Sequence, residues 1–109
     1  MQKKTYSVYI IANATKLLYI GFTSDLPHRI WQHKEKIFEG HSANFHVCRL
    51  VYYESFDDVT KAINREKQLK RWRREKKIAL IESRNLNWHD LSDGWYDHLN
   101  SKGIAPRLA

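Results

Sequence analysis

Two short runs of β-branched and aromatic residues open this chain, and a polar break of a few residues parts them. Thr5 to Ala12 and Leu17 to Thr23 therefore read as a β-hairpin with its turn at Asn13 to Lys16. Ser24 or Asp25 can cap a following helix, Pro27 is tolerated in its first turn, and Glu39-Gly40 ends it near Phe38. His41 to His46 reads as a loop, and Cys48 to Ser55 as a third strand. Asp57 or Asp58 then caps a long helix from about Val59 to Arg74, a shorter one covers roughly Lys76 to Ser83, and Trp88 to Leu99 is the last ordered piece. The order ββαβαα places the chain in the α+β class, with a small three-stranded antiparallel sheet flanked by helices.

A length of 109 residues is that of one domain, large enough for a modest core without disulfides. The expected domain is 1–99, with 100–109 as a tail. The single cysteine, Cys48, lies in an apolar run and reads as a packed strand residue rather than a reactive thiol. Lys3-Lys4 before an apolar run mimics a signal peptide. The run from Val8 to Ala12 is too short for a signal core, however, and no apolar run reaches membrane-spanning length. A cytoplasmic protein with no membrane segment is the expectation.

The net charge of +7 is concentrated in one place. Lys61 to Lys77 holds nine Lys/Arg against Glu66 and Glu75, while the remaining ten basic and ten acidic side chains balance. A localised basic stripe is the footprint of a polyanion, although a solvated helix face is the competing explanation. Trp72 within the run favours nucleic acid, because an aromatic among cations can stack or pack. Lys67, Lys70, Arg71, Arg73 and Arg74 are the candidate contacts.

Helical geometry singles out further residues. On the second helix Val59, Ile63 and Glu66 fall within about 60° of one another, which places Glu66 near the middle of the apolar stripe. A buried carboxylate is costly unless paired or bound to a metal. A salt bridge to Arg29 or Lys70, or a place at the rim of the core, is the structural alternative. On the first helix His33 lies among Leu26, Ile30 and Ile37, with Arg29 one turn away. A lone His there would be a core residue, whereas an Arg and a His sharing one edge suit a phosphate. Tyr9 and Tyr19 share a face of the hairpin if the loop holds an odd number of residues and are separated if it is even. Gly21, inside a strand, signals close approach by backbone or ligand.

Several stretches resemble the GIY-YIG nucleases, most closely the small stand-alone proteins similar to the N-terminal nuclease module of a bacterial excinuclease. They are Val8-Tyr9-Ile10, Tyr19-Ile20-Gly21, Thr23 through Arg29 to His33, and Leu50 to Glu54. Ala62 through Glu66 to Arg74 and Asn85 through Trp88 to Leu91 complete the set, which runs from about Thr5 to Leu91. Departures occur at Ser7-Val8-Tyr9 in place of Gly-Ile-Tyr, at Phe22, at Asn44 and Phe45, and at Leu86.

The resemblance implies that Glu66 binds a divalent metal, Mg²⁺ or Mn²⁺, and that Arg29 steadies the scissile phosphate. It also implies that Tyr19 or His33 helps activate the attacking water, that Tyr9 supports the site and that Asn85 completes it. Mg²⁺ keeps several waters, so one carboxylate plus phosphate oxygens can suffice. The implied activity is metal-dependent hydrolysis of DNA phosphodiester bonds, with RNA as the other polyanion, and no small-molecule cofactor. Structure-specific cleavage in repair or recombination is the finer expectation. The alternative is a non-catalytic nucleic-acid-binding module with the same fold.

Overall fold

β1 (Tyr6–Ala12) and β2 (Leu18–Thr23) pair antiparallel, with Tyr9 opposite Gly21 and Ile11 opposite Tyr19. The computed structural model describes residues 4–40 and 48–97. Residues 13–17 connect the two strands, an odd number, so Tyr9 and Tyr19 share a face. Asn13 organises the turn: its Oδ1 accepts from the amides of Thr15 at 3.0 Å and Leu17 at 2.9 Å. Lys16 takes the left-handed conformation that closes the turn.

β3 (Arg49–Phe56) pairs antiparallel with the other edge of β1, giving the strand order β2-β1-β3. The register slips between Ile10 and Ile11, and this bulge leaves Val51 without a partner across the ladder. Its carbonyl accepts instead from Asn85 Nδ2 at 3.1 Å.

The period-two alternation of β1 divides the interior. Tyr9 and Ile11 face α1 (Leu26–Gly40), where Leu26 and Ile30 are buried together with Cys48 and Leu50. Asp25 is the residue that caps α1, its Oδ1 accepting from the His28 amide. Val8, Ile10 and Ala12 face the other way, against Ala62 and Leu69 of α2 (Val59–Arg71) and Ile81 of α3 (Arg74–Arg84). Asp58 is the cap of α2, accepting from the Thr60 amide at 2.9 Å.

The architecture is the expected ββαβαα, with two local corrections. α2 ends at Arg71 rather than Arg74, because Trp72 and Arg73 are both extended. The break lets the Trp72 indole pack against the core, with Lys76 Nζ 4.2 Å from the ring centroid and the Arg65 guanidinium 5.2 Å from it. Trp72 is thus occupied by packing.

The second correction concerns the stripe of α2. Its buried face runs through Ala62 and Leu69, while Val59 is exposed. Glu66 therefore stands at the rim, with its side chain 20 % exposed, and pairs with Lys70 at 3.1 Å.

The segment after α3 wraps back over the sheet and α1. Leu91 N donates to Leu50 O at 2.7 Å, and Trp95 packs against the α1-side core. Among the described residues no helix is long and apolar enough to cross a membrane. The loop expected at His41 to His46 and the tail expected from residue 100 lie outside the described residues.

Candidate active site

Gly21 explains how the site is assembled. A Cβ at this position would overlap the Tyr9 Oη and ring, so the Tyr9 side chain lies directly across β2 where only glycine leaves room. Tyr9 is almost wholly buried, and its hydroxyl meets His33 Nε2 of α1 at 2.8 Å. Tyr19, on the same face, sits 6.4 Å from the Tyr9 ring and 5.0 Å from the His33 ring, measured between centroids. It is 48 % exposed. Arg29, one turn before His33, holds Gln32 Oε1 at 3.3 Å.

Tyr19, Arg29, Gln32 and His33 line a cleft of about 410 Å³ together with the hairpin end, including Ile11, Asn13 and Leu17. Four of the residues singled out in the sequence, Tyr9, Tyr19, Arg29 and His33, are therefore gathered in one place. Two come from strands and two from α1, one helical turn apart.

Burial pushes the Tyr9 phenol above its ordinary value; the Arg29 guanidinium opposes this, while Tyr19 and Glu66 add to the rise. Tyr9 is thus protonated at neutral pH and can donate to His33 Nε2. With that nitrogen engaged, the proton of a neutral imidazole belongs on Nδ1. The Arg29 guanidinium is itself raised, first by Tyr9, against the opposing effect of burial, and further by Tyr19. The two phenols and the guanidinium form one electrostatic unit.

Glu66, on α2, does not line the cleft, and its carboxylate is the smallest of the influences on the Tyr9 phenol. Among the described residues no three His, Cys, Asp or Glu side chains gather to hold a metal ion. A cation here would draw on Glu66 and otherwise on water and phosphate oxygens. That donor set suits Mg²⁺ or Mn²⁺ rather than zinc.

Asn85 lies elsewhere. It is buried at the C-terminal end of α3, where Nδ2 donates to Val51 O and to His89 O at 2.8 Å, and Oδ1 accepts from His89 N at 2.9 Å. It staples the β3 bulge to the following turn and does not line the cleft. The basic residues Lys67, Lys70, Arg71, Arg73 and Arg74 are all exposed around the α2–α3 junction. Arg74 Nη2 donates to Lys16 O at 2.7 Å, joining that junction to the hairpin turn beside the cleft.

Two networks escaped sequence reasoning. Arg65 grips Glu54 through Nε at 3.0 Å and Nη2 at 2.9 Å, and Tyr52 donates to the same carboxylate. Burial, reinforced by Glu54, lifts the Tyr52 phenol to about 12. Lys34, buried in α1, pairs with Asp90 at 2.6 Å. The buried Cys48 thiol is pushed up to about 11 by burial, with Lys34 opposing, which suits an inert packed residue.

The family model described as the GIY-YIG catalytic domain matches residues 5–79. A UPF0213 protein from Haloquadratum walsbyi is 33 % identical over 75 residues, covering 69 % of this chain and 84 % of its own. Another, from Lacticaseibacillus paracasei, is 30 % identical over 88 residues, covering 81 % of this chain and 99 % of its own. The solution NMR structure of a UPF0213 protein from Bacillus halodurans superimposes with a TM-score of 0.55 at 23 % identity. That match covers 83 % of this chain and 96 % of the other, and it speaks for the fold.

Proposed function

The chain belongs to the GIY-YIG catalytic domain family, and from that premise we propose that it is a metal-dependent endonuclease hydrolysing DNA phosphodiester bonds. One observation carries the reading: Tyr19, Arg29 and His33 line a single cleft, and the buried Tyr9 fixes His33 from behind.

Arg29 binds the scissile phosphate and stabilises charge that grows on its oxygens. Tyr19, exposed beside that guanidinium, is the phenol that an attacking water can reach. Tyr9 is a poor base, since burial holds its proton, and its work is to fix His33 through Nε2. His33, its proton on Nδ1, then donates to a phosphate oxygen or to the Tyr19 oxygen, and it can take a proton from the water only at Nε2, by releasing Tyr9. Glu66 would hold the divalent cation, which supplies charge neutralisation on the phosphoryl group. Without the cation, Lys70 neutralises Glu66.

The exposed cations from Lys67 to Arg74 hold the nucleic-acid backbone and lead it past the hairpin turn into the cleft. Asn85 supports the site from a distance, through the β3 bulge and the turn at His89. Structure-specific cleavage in DNA repair or recombination, in the cytoplasm, is the finer form of the proposal.

The test incubates the purified protein with supercoiled, linear and branched DNA in Mg²⁺ or Mn²⁺, beside Glu66→Ala. Nicking that both EDTA and Glu66→Ala abolish is expected. Binding without cleavage of any substrate would leave the non-catalytic module in its place. Cleavage that survives Glu66→Ala would sink the assigned site.

A further inference from the structure

Whatever orients α1 orients Arg29 and His33, and the segment from Asp90 to Tyr96 grips this helix at two places. Lys34, next to His33, has a side chain only 4 % exposed. Its Nζ donates to Cys48 O at 2.8 Å and to Asp90 Oδ2 at 2.6 Å. Asp90 is fixed in turn: its Oδ1 accepts from Leu50 N at 3.1 Å, Ser92 N at 3.0 Å and Ser92 Oγ at 2.6 Å. Near the start of the helix, Tyr96 Oη donates to Pro27 O at 2.7 Å, and its ring lies 5.1 Å from that of Trp31. The two grips, at residues 27 and 34, bracket Arg29 and His33.

A buried ion pair is a poor way to gain stability, since apolar residues of similar volume hold a core as well or better. Apolar packing, however, leaves a helix free to make small rotations about its axis. Directional hydrogen bonds from a lysine locked to Cys48, just before β3, and to Asp90 remove that freedom. The segment also lies beyond residues 5–79, the span matched by the family model.

We propose that Asp90 and Tyr96 are positioning residues. They set the rotation and pitch of α1 so that His33 meets Tyr9 and Arg29 faces the phosphate. The proposal rests on reading the cleft as the catalytic site. A displacement of about 1 Å at reacting groups costs on the order of 100-fold in rate, so the grip matters to turnover more than to binding.

The experiment uses the full chain with Asp90→Asn, Tyr96→Phe and the double variant Lys34→Met/Asp90→Leu. Ile81→Val, in the opposite core, controls for lost stability. Melting temperature, kcat, KM and the ring ¹⁵N signals of His33 are measured for each.

Asp90→Asn should lower kcat by roughly 30- to 100-fold, with KM nearly unchanged, and shift the His33 Nε2 signal away from its hydrogen-bonded position. The apolar double variant relieves the unpaired charge but leaves the Leu50 and Ser92 amides without their acceptor, so it should recover part of the melting temperature but neither kcat nor the His33 signal. Ile81→Val should lower the melting temperature and leave both untouched. If Asp90→Asn and Tyr96→Phe keep the wild-type kcat and His33 signal, or if the double variant restores both, the segment only stabilises the fold and the proposal fails. If the wild type cleaves nothing, the nuclease reading fails by itself, and the His33 signal still decides the positioning role.

Discussion

The two faces of the sheet are built for different ends. Against α2 and α3, β1 places Val8, Ile10 and Ala12, which meet Ala62, Leu69 and Ile81 in an apolar interior. Against α1, the same strand places Tyr9 and Ile11. That core of Leu26, Ile30 and Leu50 gives way at its margin to Tyr19, Arg29 and His33. One face gains stability from apolar area removed from water. The other surrenders part of that gain to hold phenols, an imidazole and a guanidinium in fixed relation. A strand of alternating side chains can serve both ends because successive residues point to opposite faces.

The comparison is most sharply tested in the apolar face. Ile81 is fully buried, so Ile81→Ala should cost about 2–5 kcal/mol of stability. Cleavage per folded molecule should stay at the wild-type rate. Chemical denaturation followed by single-turnover assays at low temperature would reveal any coupling between the faces, and a large rate loss would break the division.

The next effect is electrostatic. Burial would raise the Asp90 carboxyl, but Lys34, the Ser92 hydroxyl and the Leu50 amide hold it below the ordinary carboxylate value. A depressed folded-state pKa means that the stabilisation is present above the unfolded value of about 3.9 and is lost as pH falls through the folded value. Asp90→Asn should cost about 3 kcal/mol at neutral pH, because Lys34 is left buried without its anion. Thermal melts below about pH 4 should then show wild type and variant converging. A gap that widens in acid would contradict the assigned sign.

Gly21→Ala attacks the α1 face alone. The new methyl forces the Tyr9 ring aside, for about 1–3 kcal/mol of strain. Cleavage should fall by more than that stability loss explains, because the Tyr9–His33 bond goes with it. The smallest effect belongs to the exposed junction: Arg74→Ala should weaken binding evenly across DNA sequences and reduce the salt slope of log K by about 1. An unchanged slope would remove Arg74 from the backbone contacts.

Most of the fold is legible in the sequence because it rests on local rules. The hairpin follows from two alternating runs and a short polar break, and a single aspartate starts each of α1 and α2. The parity of the loop is open in the sequence, and the five-residue turn built by Asn13 decides it. Tyr9, Tyr19, Arg29 and His33 are legible for similar reasons: strand motifs and one helical turn.

What stays hidden is long-range. The place of Glu66 depends on how α2 docks, and Ala62 and Leu69, both facing the sheet, turn it to the rim. Lys34 gives no local signal, because its partner Asp90 lies 56 residues away. The end of α2 is hidden too, because the preference of Trp72 for the core overrides the helix-forming run around it.

Paramagnetic Mn²⁺ tests the central claim most directly, that Glu66 and the α1-face cleft form one metal-dependent site. Added to ¹⁵N-labelled protein, it should broaden the amide signals near Tyr9, Tyr19, Arg29 and Glu66 first, and Glu66→Gln should abolish that selectivity while leaving the spectrum folded. Broadening centred on Asp57, Asp58 or Asp93, or a wild-type pattern persisting in Glu66→Gln, would contradict it.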